Sequence, residues 1–378
     1  MAHLEDRWER RLPDGSKART SRHGTGDRWR ARFLDPTGAE RSKSFARKVD
    51  AERFLVSVEG DKLRGAYVDP RAGRTTLAEY AGTWLAALGR RESTAANYGS
   101  HLRTHILPLL GHRPLAAITP TEVRGFVRQV SGRLAPSTAV TVHTVLSAVM
   151  RAAVADRLIA VSPCPGTRPP RPQRREVVPL TVEQVGSLLE VVDPRYRGVV
   201  AVGAGVGLRL SEVLGLRPAR VDFLRRRVDV REQQVLPTGR PPELGPLKTA
   251  ASERTVPLPS TVADELVSHM ARYPAAPGVD LLFTSASGGA VRRTAFHETP
   301  WVNAVRAAGL PPGTRFHDLR HTYASLLIAA GEHPKVIQSR LGHSSITETM
   351  DVYGHLWPSA EEATRAAVDA AFAALTAP

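Results

Sequence analysis

Residues 317–321 read His-Asp-Leu-Arg-His, and this stretch decides how the second half of the chain is interpreted. On a helix, His317 and Arg320 are three positions apart and project from the same side. A histidine and an arginine that point to one position suit a phosphate, although a solvated polar helix face has the same pattern. His321 is expected to be structural. The buried side of this helix is predicted to consist of Phe316, Leu319, Tyr323 and Leu326.

Four further segments in the same half carry residues that complement this one. They are residues 207–212 (GLRLSE), 247–249 (LKT), 341–343 (LGH) and 353–355 (YGH). In the first of them, Glu212 lies three positions after Arg209 and can hold its guanidinium rigid, so that the donor fork matches phosphate oxygens. Lys248 is predicted near the end of a strand or in a hairpin, where an ammonium can reach a leaving oxygen.

The last segments add a histidine and a tyrosine. Gly342 permits a sharp helix ending and leaves His343 at a junction. A free tyrosine has a pKa of about 10 and is a poor nucleophile near neutrality. Two nearby arginines are expected to favour the phenolate of Tyr353, and a neighbouring histidine can accept its proton. Each residue alone also has an ordinary structural explanation, so the indication comes from their order and spacing together.

The overall charge predicts a polyanionic partner. The chain has 378 residues with Lys+Arg 52 and Asp+Glu 37, a formal net charge of +15. Cations placed on phosphates release condensed counterions, although a basic protein without a specific partner has the same composition. The single cysteine, Cys164, can form neither an internal disulfide nor a cysteine-rich zinc site. Neither a secretory signal nor an apolar run of the ~18 residues a membrane helix needs is recognised, so a cytoplasmic protein without membrane contact is expected.

The predicted fold class is mainly α with small β-sheets (α+β), in three folded parts with a linker and a tail. The divisions are residues 1–70 (a three-stranded sheet plus helix), 74–160 (a helical bundle), 161–178 (a basic, proline-rich linker), 179–358 (a mixed, mostly helical domain) and 359–378 (a C-terminal helix). The linker is expected to stay extended without packing into a core. Thr119 and Glu122 form a capping-box pattern at one bundle helix.

Basic residues outside the five segments described above are candidates for DNA contact. In the first part, Trp29, Ala31 and Phe33 are expected to face the helix. The open face of the sheet would then carry Arg30, Arg32, Arg41 and Lys43, which could enter a major groove or simply be solvated. Arg171 and Arg174 in the linker could follow DNA. An apolar stripe on the tail helix is expected to dock on its own domain or on a neighbouring subunit: Val368, Phe372 and Leu375.

The pattern resembles the tyrosine recombinases of the phage-integrase type. Their catalytic part carries an arginine in a Gly-Leu-Arg-x-x-Glu helix, a hairpin lysine, His-x-x-Arg, Leu-Gly-His and a late tyrosine. The corresponding residues are Arg209 with Glu212, Lys248, His317, Arg320, His343 and Tyr353. The first part is similar to that family's arm-site-binding module, and the bundle to its core-site-binding domain. Val206 and Pro218 depart from common family residues.

The resemblance implies a site-specific integrase that needs no cofactor and no metal. Tyr353 would attack the scissile phosphorus and form a 3′-phosphotyrosyl link, with double-stranded DNA as the partner at core and arm attachment sites. It also implies a tetramer on DNA, with a possible accessory directionality or DNA-bending factor. Three alternatives stay open: a non-catalytic DNA-binding regulator on the same fold, a type IB-like topoisomerase, and a metal-dependent nuclease.

Overall fold

The computed structural model describes residues 2–13, 15–36, 38–63, 67, 69, 72–89, 92–172, 176–237, 239–357 and 361–376. The chain divides into two compact units, Met1–Gln173 and Arg174–Pro378, and each is described by itself. Helices predominate and every sheet is small and antiparallel, as the sequence predicted.

The first unit begins with a three-stranded sheet covered by one helix. Its strands are β1 (His3–Asp6), β4 (Trp29–Leu34) and β5 (Glu40–Phe45), in the order β1-β4-β5, and β2 (Glu9–Arg11) with β3 (Lys17–Arg19) forms a separate hairpin. Helix α1 (Lys48–Leu63) buries Ala51 and Val58. Phe33 meets Phe54 of this helix edge to face, with ring centroids 5.8 Å apart.

The predicted placement of two basic residues on the open face of this sheet is wrong. Lys43 lies directly opposite Ala31, and Arg41 lies opposite Phe33. Directly paired residues of antiparallel strands share a face, so both cations lie on the side of the buried Ala31 and Phe33. Lys43 places its Nζ 5.2 Å from the centroid of the Phe54 ring.

The open face keeps Arg30 and Arg32, which pair in register with serines. Arg32 donates to Glu5 at 2.7 Å and to Glu40 at 2.9 Å, and Arg30 lies 3.9 Å from Glu5. This face therefore carries acidic residues between its arginines, which the one-strand pattern did not reveal.

The second part of this unit is a helical bundle. Its helices are α2 (Leu77–Ala86), α3 (Glu92–His101), α4 (Leu107–Leu110), α5 (Pro120–Ser131) and α6 (Pro136–Ala155), with a π-helical segment, Leu102–Ile106, joining α3 to α4. The predicted capping box of α5 is confirmed. Glu122 N–H donates to Thr119 Oγ1 at 3.2 Å, and Thr119 N–H donates to the Glu122 carboxylate at 2.9 Å.

Helix α6 is long and apolar enough to cross a membrane by length and composition, a feature the sequence analysis missed. Such a helix is equally the core helix of a bundle. Its side facing the other helices is fully buried, including Val142, Leu146, Val149 and Met150. These contacts account for its apolar composition.

The first half of the linker is not a free extended segment, contrary to the prediction. Cys164 is buried within the apolar core of the bundle. Thr167 is also buried, and its hydroxyl lies 3.2 Å from His143 Nε2 on α6. Proline prevents regular structure here but does not prevent packing. Arg171 is exposed, and Arg174 lies outside the described residues.

The second unit is mostly helical around one apolar core. Its helices are α7 (Val182–Val191), α8 (Arg197–Gly205), α9 (Leu210–Leu214), α10 (Ser260–Arg272), α11 (Arg293–Phe296), α12 (Val302–Ala307), α13 (Phe316–Ala329), α14 (Pro334–Leu341), α15 (Ile346–Tyr353) and α16 (Glu361–Thr376). Its strands are β6 (Val221–Asp222), β7 (Arg227–Val230), β8 (Glu232–Val235), β9 (Glu243–Pro246) and β10 (Arg254–Pro257), arranged as a β10-β7-β6 sheet and a β8–β9 ribbon.

Helices α8 and α13 pack closely at the centre of this unit. A side chain at Gly203 of α8 would place its Cβ 2.6 Å from the Phe316 ring of α13. Phe316 and Leu319 are buried as predicted, whereas Leu326 is 44% exposed. The helix is instead buried on several sides, because Arg320, His321 and Thr322 also point into the protein.

The turn between α8 and α9 requires a glycine. Gly207 has φ +69°, a left-handed conformation, and a Cβ there would lie 2.2 Å from Tyr323. Both the backbone conformation and the space exclude a side chain. Arg209 therefore follows a turn whose geometry is set by close packing.

Replacing Gly207 by alanine should lower the free energy of unfolding by about 2–4 kcal/mol, from left-handed strain and overpacking. Gly186→Ala in α7 is the matched control, because a Cβ there meets no atom within 4 Å. It should be neutral or stabilise by up to about 1 kcal/mol. Urea unfolding of both variants measures the difference, and equal effects would contradict the explanation.

Candidate active site

Arg320 joins three of the segments singled out in the sequence. Its side chain is 1% exposed, and its guanidinium donates to the carbonyl of Gly207 at 2.8 Å and to that of Leu341. Its buried Nε has no hydrogen-bond partner within the described residues. Burial, together with the charges of Arg209 and Arg254, lowers the pKa of Arg320 to about 9, so it still carries its charge at neutral pH.

Arg209 stands at the N-terminus of α9 and is held by Glu212. The Glu212 carboxylate accepts from the Arg209 backbone N–H and from its Nη1, both at 2.9 Å. The predicted pair is therefore present, with Arg209 at the N-cap position of the helix. About 29% of the Arg209 side chain is exposed, so donors other than Nη1 face outward.

Arg254, which the sequence analysis did not single out, completes this pair. It donates to both carboxylate oxygens of Glu212, at 2.8 and 3.2 Å, and to the Arg340 carbonyl at 2.8 Å. Burial by itself raises the pKa of Glu212, but hydrogen bonds and charge from Arg254, with Arg209, lower it to about 2. Strand alternation could have identified Arg254 from the sequence. It lies two positions before the fully buried Val256 in β10, so both side chains face inward.

Gly342 brings His343 into the same region. Gly342 ends α14 with φ +65°, and a Cβ there would lie 3.0 Å from Arg254 Nη1. His343 is nearly buried, and its Nδ1 lies 2.9 Å from Thr349 Oγ1. Burial and the charges of Arg320 and Arg209 lower the pKa of His343 to about 3. Its ring is therefore neutral at physiological pH.

Tyr353, the last residue of α15, is buried and bonded to His321. Its side chain is 1% exposed, and its hydroxyl lies 2.8 Å from His321 Nδ1. Burial raises the pKa of Tyr353 to about 12, and the charges of Arg320 and Arg209 oppose this without reversing it. The two arginines favour the phenolate as expected, but desolvation outweighs them, so the phenol stays protonated in this structure.

His317 and Lys248 are the two exposed residues of the predicted catalytic set. His317 keeps part of its surface exposed, whereas Arg320, three positions later, is buried. Packing around the His317 ring, followed by the charges of His321 and Arg320, lowers its pKa. Lys248 follows β9 and is exposed, and its side chain makes no hydrogen bond or ion pair within the described part of the chain.

Packing thus gathers most of the predicted residues around one positive centre. The charges of Arg209 and Arg320 act on the titration of His317, His343 and Tyr353. Their surroundings hold the three rings neutral at pH 7, while Arg320 keeps its charge. This arrangement can bind an anionic group and bring a phenol to it. Lys248 has no demonstrated contact with this centre.

Comparison with known proteins identifies the family. The sequence model of the phage integrase family matches residues 179–359, and that of the phage integrase central domain matches residues 77–169. The integrase of Mycobacterium phage FRAT1 is 31% identical over 308 residues, which cover 79% of this chain and 88% of that protein. The chain belongs to the phage integrase family.

Solved integrase structures share the fold of this family member. A Tn1549 transposon integrase in complex with transposon right end DNA matches with a TM-score of 0.68 and 23% identity, covering 78% of this chain and 98% of that chain. A lambda integrase tetramer bound to a Holliday junction matches with a TM-score of 0.55 and 19% identity, covering 84% and 94%. The protein is thus a tyrosine recombinase, a site-specific integrase that cuts and rejoins DNA, and the resemblance read from the sequence is confirmed.

The depressed pKa of Glu212 predicts a pH-dependent contribution to stability. An ionised group with a lowered folded-state pKa stabilises above its unfolded pKa and loses this effect as pH falls toward the folded value. A shift from 4.5 to about 2 corresponds to about 3 kcal/mol. The stability difference between the wild type and Glu212→Gln should therefore be largest above pH 5 and shrink as pH falls below 4.5.

Urea unfolding at several pH values measures this difference. Exposed Glu190→Gln in α7 serves as the control and should change stability by less than about 0.5 kcal/mol at any pH. A Glu212→Gln effect that stays constant between pH 6 and pH 3 would show that the carboxylate charge does not hold Arg254 and Arg209.

Proposed function

We propose that Tyr353 is the nucleophile of this integrase. Its Oη attacks the scissile phosphorus, the bond from phosphorus to the 5′ oxygen breaks, and a 3′-phosphotyrosyl link forms. The phosphodiester energy is kept in that link, so the reverse attack by a 5′ hydroxyl of another strand rejoins DNA without a nucleotide cofactor. The observation that carries this proposal is the position of Tyr353 within the field of Arg209 and Arg320.

The two arginines stabilise the negative charge of the pentavalent transition state. Arg209 supplies outward N–H donors to a non-bridging oxygen, because only part of its guanidinium is bound to Glu212. Arg320 acts from its buried position through its charge and through its Nε, which has no hydrogen-bond partner within the described residues. Preorganised cations in a partly dry site stabilise developing charge more than water does.

His343 donates to the second non-bridging oxygen. If the Thr349 hydroxyl donates to its Nδ1, the neutral ring carries its proton on Nε2 and is a hydrogen-bond donor there. Glu348 lies 3.9 Å from this Nε2 and would give way to the phosphate. His317 assists proton transfer or positions the phosphate. Lys248 protonates the leaving 5′ oxygen, which its exposed place after β9 allows once DNA is bound.

The partner is double-stranded DNA, bound at core sites by the bundle and the catalytic domain and at arm sites by the N-terminal module. The basic residues assigned to contact DNA are Arg30, Arg32, Arg41, Lys43, Arg171 and Arg174. Of these, Arg32 and Arg41 hold carboxylates in the free protein. A phosphate would replace those carboxylates, so their net contribution to affinity is smaller than that of an unpaired arginine. Because the proposed substrate is DNA, we expect the protein to act in the cytoplasm.

Recombination requires a tetramer on DNA, as in the lambda integrase structure, with an accessory directionality or DNA-bending factor as a further partner.

Helix α16 is proposed to dock on a neighbouring subunit. Val368 and Phe372 on it are 49% and 63% exposed, while the Leu375 side chain lies outside the description. Exposed large apolar side chains on one helix favour a protein partner.

Replacing Tyr353 by phenylalanine should abolish covalent attachment to DNA and leave affinity within about twofold, because only the attacking oxygen is lost. A half-site duplex nicked beside the cleavage position traps the adduct, which denaturing electrophoresis detects. Tyr196→Phe, a partly buried tyrosine packed against Phe296, should keep the adduct.

The same assay separates the other candidate functions. An adduct formed by the wild type in the presence of a chelator excludes a metal-dependent nuclease. Its absence in the wild type, despite DNA binding, would favour a non-catalytic regulator. Adducts on DNA of any sequence, formed by a monomer, would favour a topoisomerase.

Ending the chain at Trp357 should preserve adduct formation on the nicked half-site and abolish assembly on a complete site. The physical reason is the loss of the apolar contact between subunits. Phe372→Ala should weaken assembly in the same direction, and Val267→Ala, an equally exposed apolar position on α10, should not. Native electrophoresis measures assembly, and unchanged recombination by the truncated protein would contradict docking on a neighbour.

A further inference from the structure

The buried Tyr353 hydroxyl is hydrogen-bonded to His321 of α13, the helix that also carries Arg320. Tyr353 ends α15, and His321 lies in the second turn of α13, one residue after Arg320. Oη and Nδ1 are 2.8 Å apart, and both side chains are buried. His321 also packs edge to face against the His317 ring, with centroids 4.8 Å apart. The ring is thus fixed on both sides.

This position of Tyr353 is incompatible with attack on a duplex. A phosphorus atom must come within about 3–3.5 Å of Oη and in line with the leaving oxygen. A side chain that is 1% exposed leaves no room for a DNA backbone. Either the side chain or the end of α15 must move outward before cleavage, and this movement breaks the bond to His321.

His321 is poorly suited to accept the tyrosine proton during the reaction. The groups that face it are His317, Asp318, Arg315 and Arg320 from its own helix, and Tyr353 from α15. Burial comes first among the effects that lower its pKa, and the two arginines add to it against Asp318. Protonated His321 would be a buried cation beside the buried Arg320. A neutral ring protonated on Nε2 instead receives the phenol O–H at Nδ1.

We infer that His321 is a positioning residue that retains Tyr353 in a buried, unreactive position through this hydrogen bond. The inference rests on Tyr353 being the nucleophile. DNA binding then has to displace the hydroxyl from His321 before a covalent link can form. The cost of opening appears in the cleavage rate and not in DNA affinity, because His321 is buried and opening follows DNA binding.

A pair of substitutions of equal shape tests this role. His321→Leu removes the acceptor, and His321→Asn keeps an oxygen acceptor at the position of Nδ1. Losing the partner of a buried hydroxyl destabilises the retained state by enough to raise the open population about five- to tenfold. The single-turnover rate of adduct formation on the nicked half-site should rise by that factor in His321→Leu and stay near wild type in His321→Asn. The dissociation constant for the half-site should be unchanged in both.

His269→Leu controls for the loss of a buried histidine, since His269 contacts only the Leu282 carbonyl as a hydrogen-bond partner within the described residues. It should not accelerate cleavage. If His321→Leu cleaves at the wild-type rate or more slowly, while folded and with normal affinity, the retaining role is wrong. If wild type forms no Tyr353 adduct at all, the proposed function fails instead, which is a separate outcome.

A second measurement does not depend on whether the leucine variant folds. Nitration by tetranitromethane, located by mass spectrometry, reports the accessibility of Tyr353 in the wild-type protein. Tyr353 should be protected in the free protein and become reactive on binding a half-site in which a methylene group replaces the bridging 5′ oxygen, so that no leaving group is present and no cleavage can occur. Equal reactivity in the two states would also overturn the inference.

Discussion

The geometry of the catalytic centre depends on one buried carboxylate, that of Glu212. It accepts hydrogen bonds from Arg209 and Arg254 at the same time, and Arg254 in turn binds the end of α14. Three guanidinium groups lie near each other with this one anion between them, so the centre has an excess of positive charge. Burial is the main cause of the lowered pKa of Arg320, and this excess of positive charge lowers it further. A phosphate supplies the missing negative charge, and its transition state supplies more, which is the differential stabilisation that catalysis requires.

Tyr353, the proposed nucleophile, differs from the arginines around it in its state in the free protein. The arginines are already in place, whereas Tyr353 is protonated, desolvated and bound to His321. Burial and positive charge act on its pKa in opposite directions, and burial prevails in the free protein. Movement toward DNA removes the desolvation and keeps the arginine field, so both the position and the acidity of the phenol change in the reactive direction. Under the proposed mechanism, this restriction would keep the protein from reacting covalently with every duplex it binds.

Two errors of the sequence analysis have the same origin. The alternation in β4 correctly placed Arg30 and Arg32 on the face opposite Ala31 and Phe33. It gave no information on which face the basic residues of β5 would join. The register with β5 puts Arg41 and Lys43 beside the apolar residues. In the linker, prolines indicated an extended path, yet Cys164 and Thr167 pack into the bundle. Local composition describes backbone conformation and carries little information on which neighbouring surface a segment meets.

The sequence by itself determined the family, the helix start at a capping box and the helix end at Gly342, and it predicted the groups proposed to surround the phosphate. These features are encoded within three or four residues or in an ordered set of short motifs, where local sterics and hydrogen bonding decide the outcome. Only the tertiary structure decided that Arg254 binds Glu212 across 42 positions and that His321 holds Tyr353 across 32. Such contacts follow from how helices and strands pack, and burial then sets the pKa values that no motif specifies.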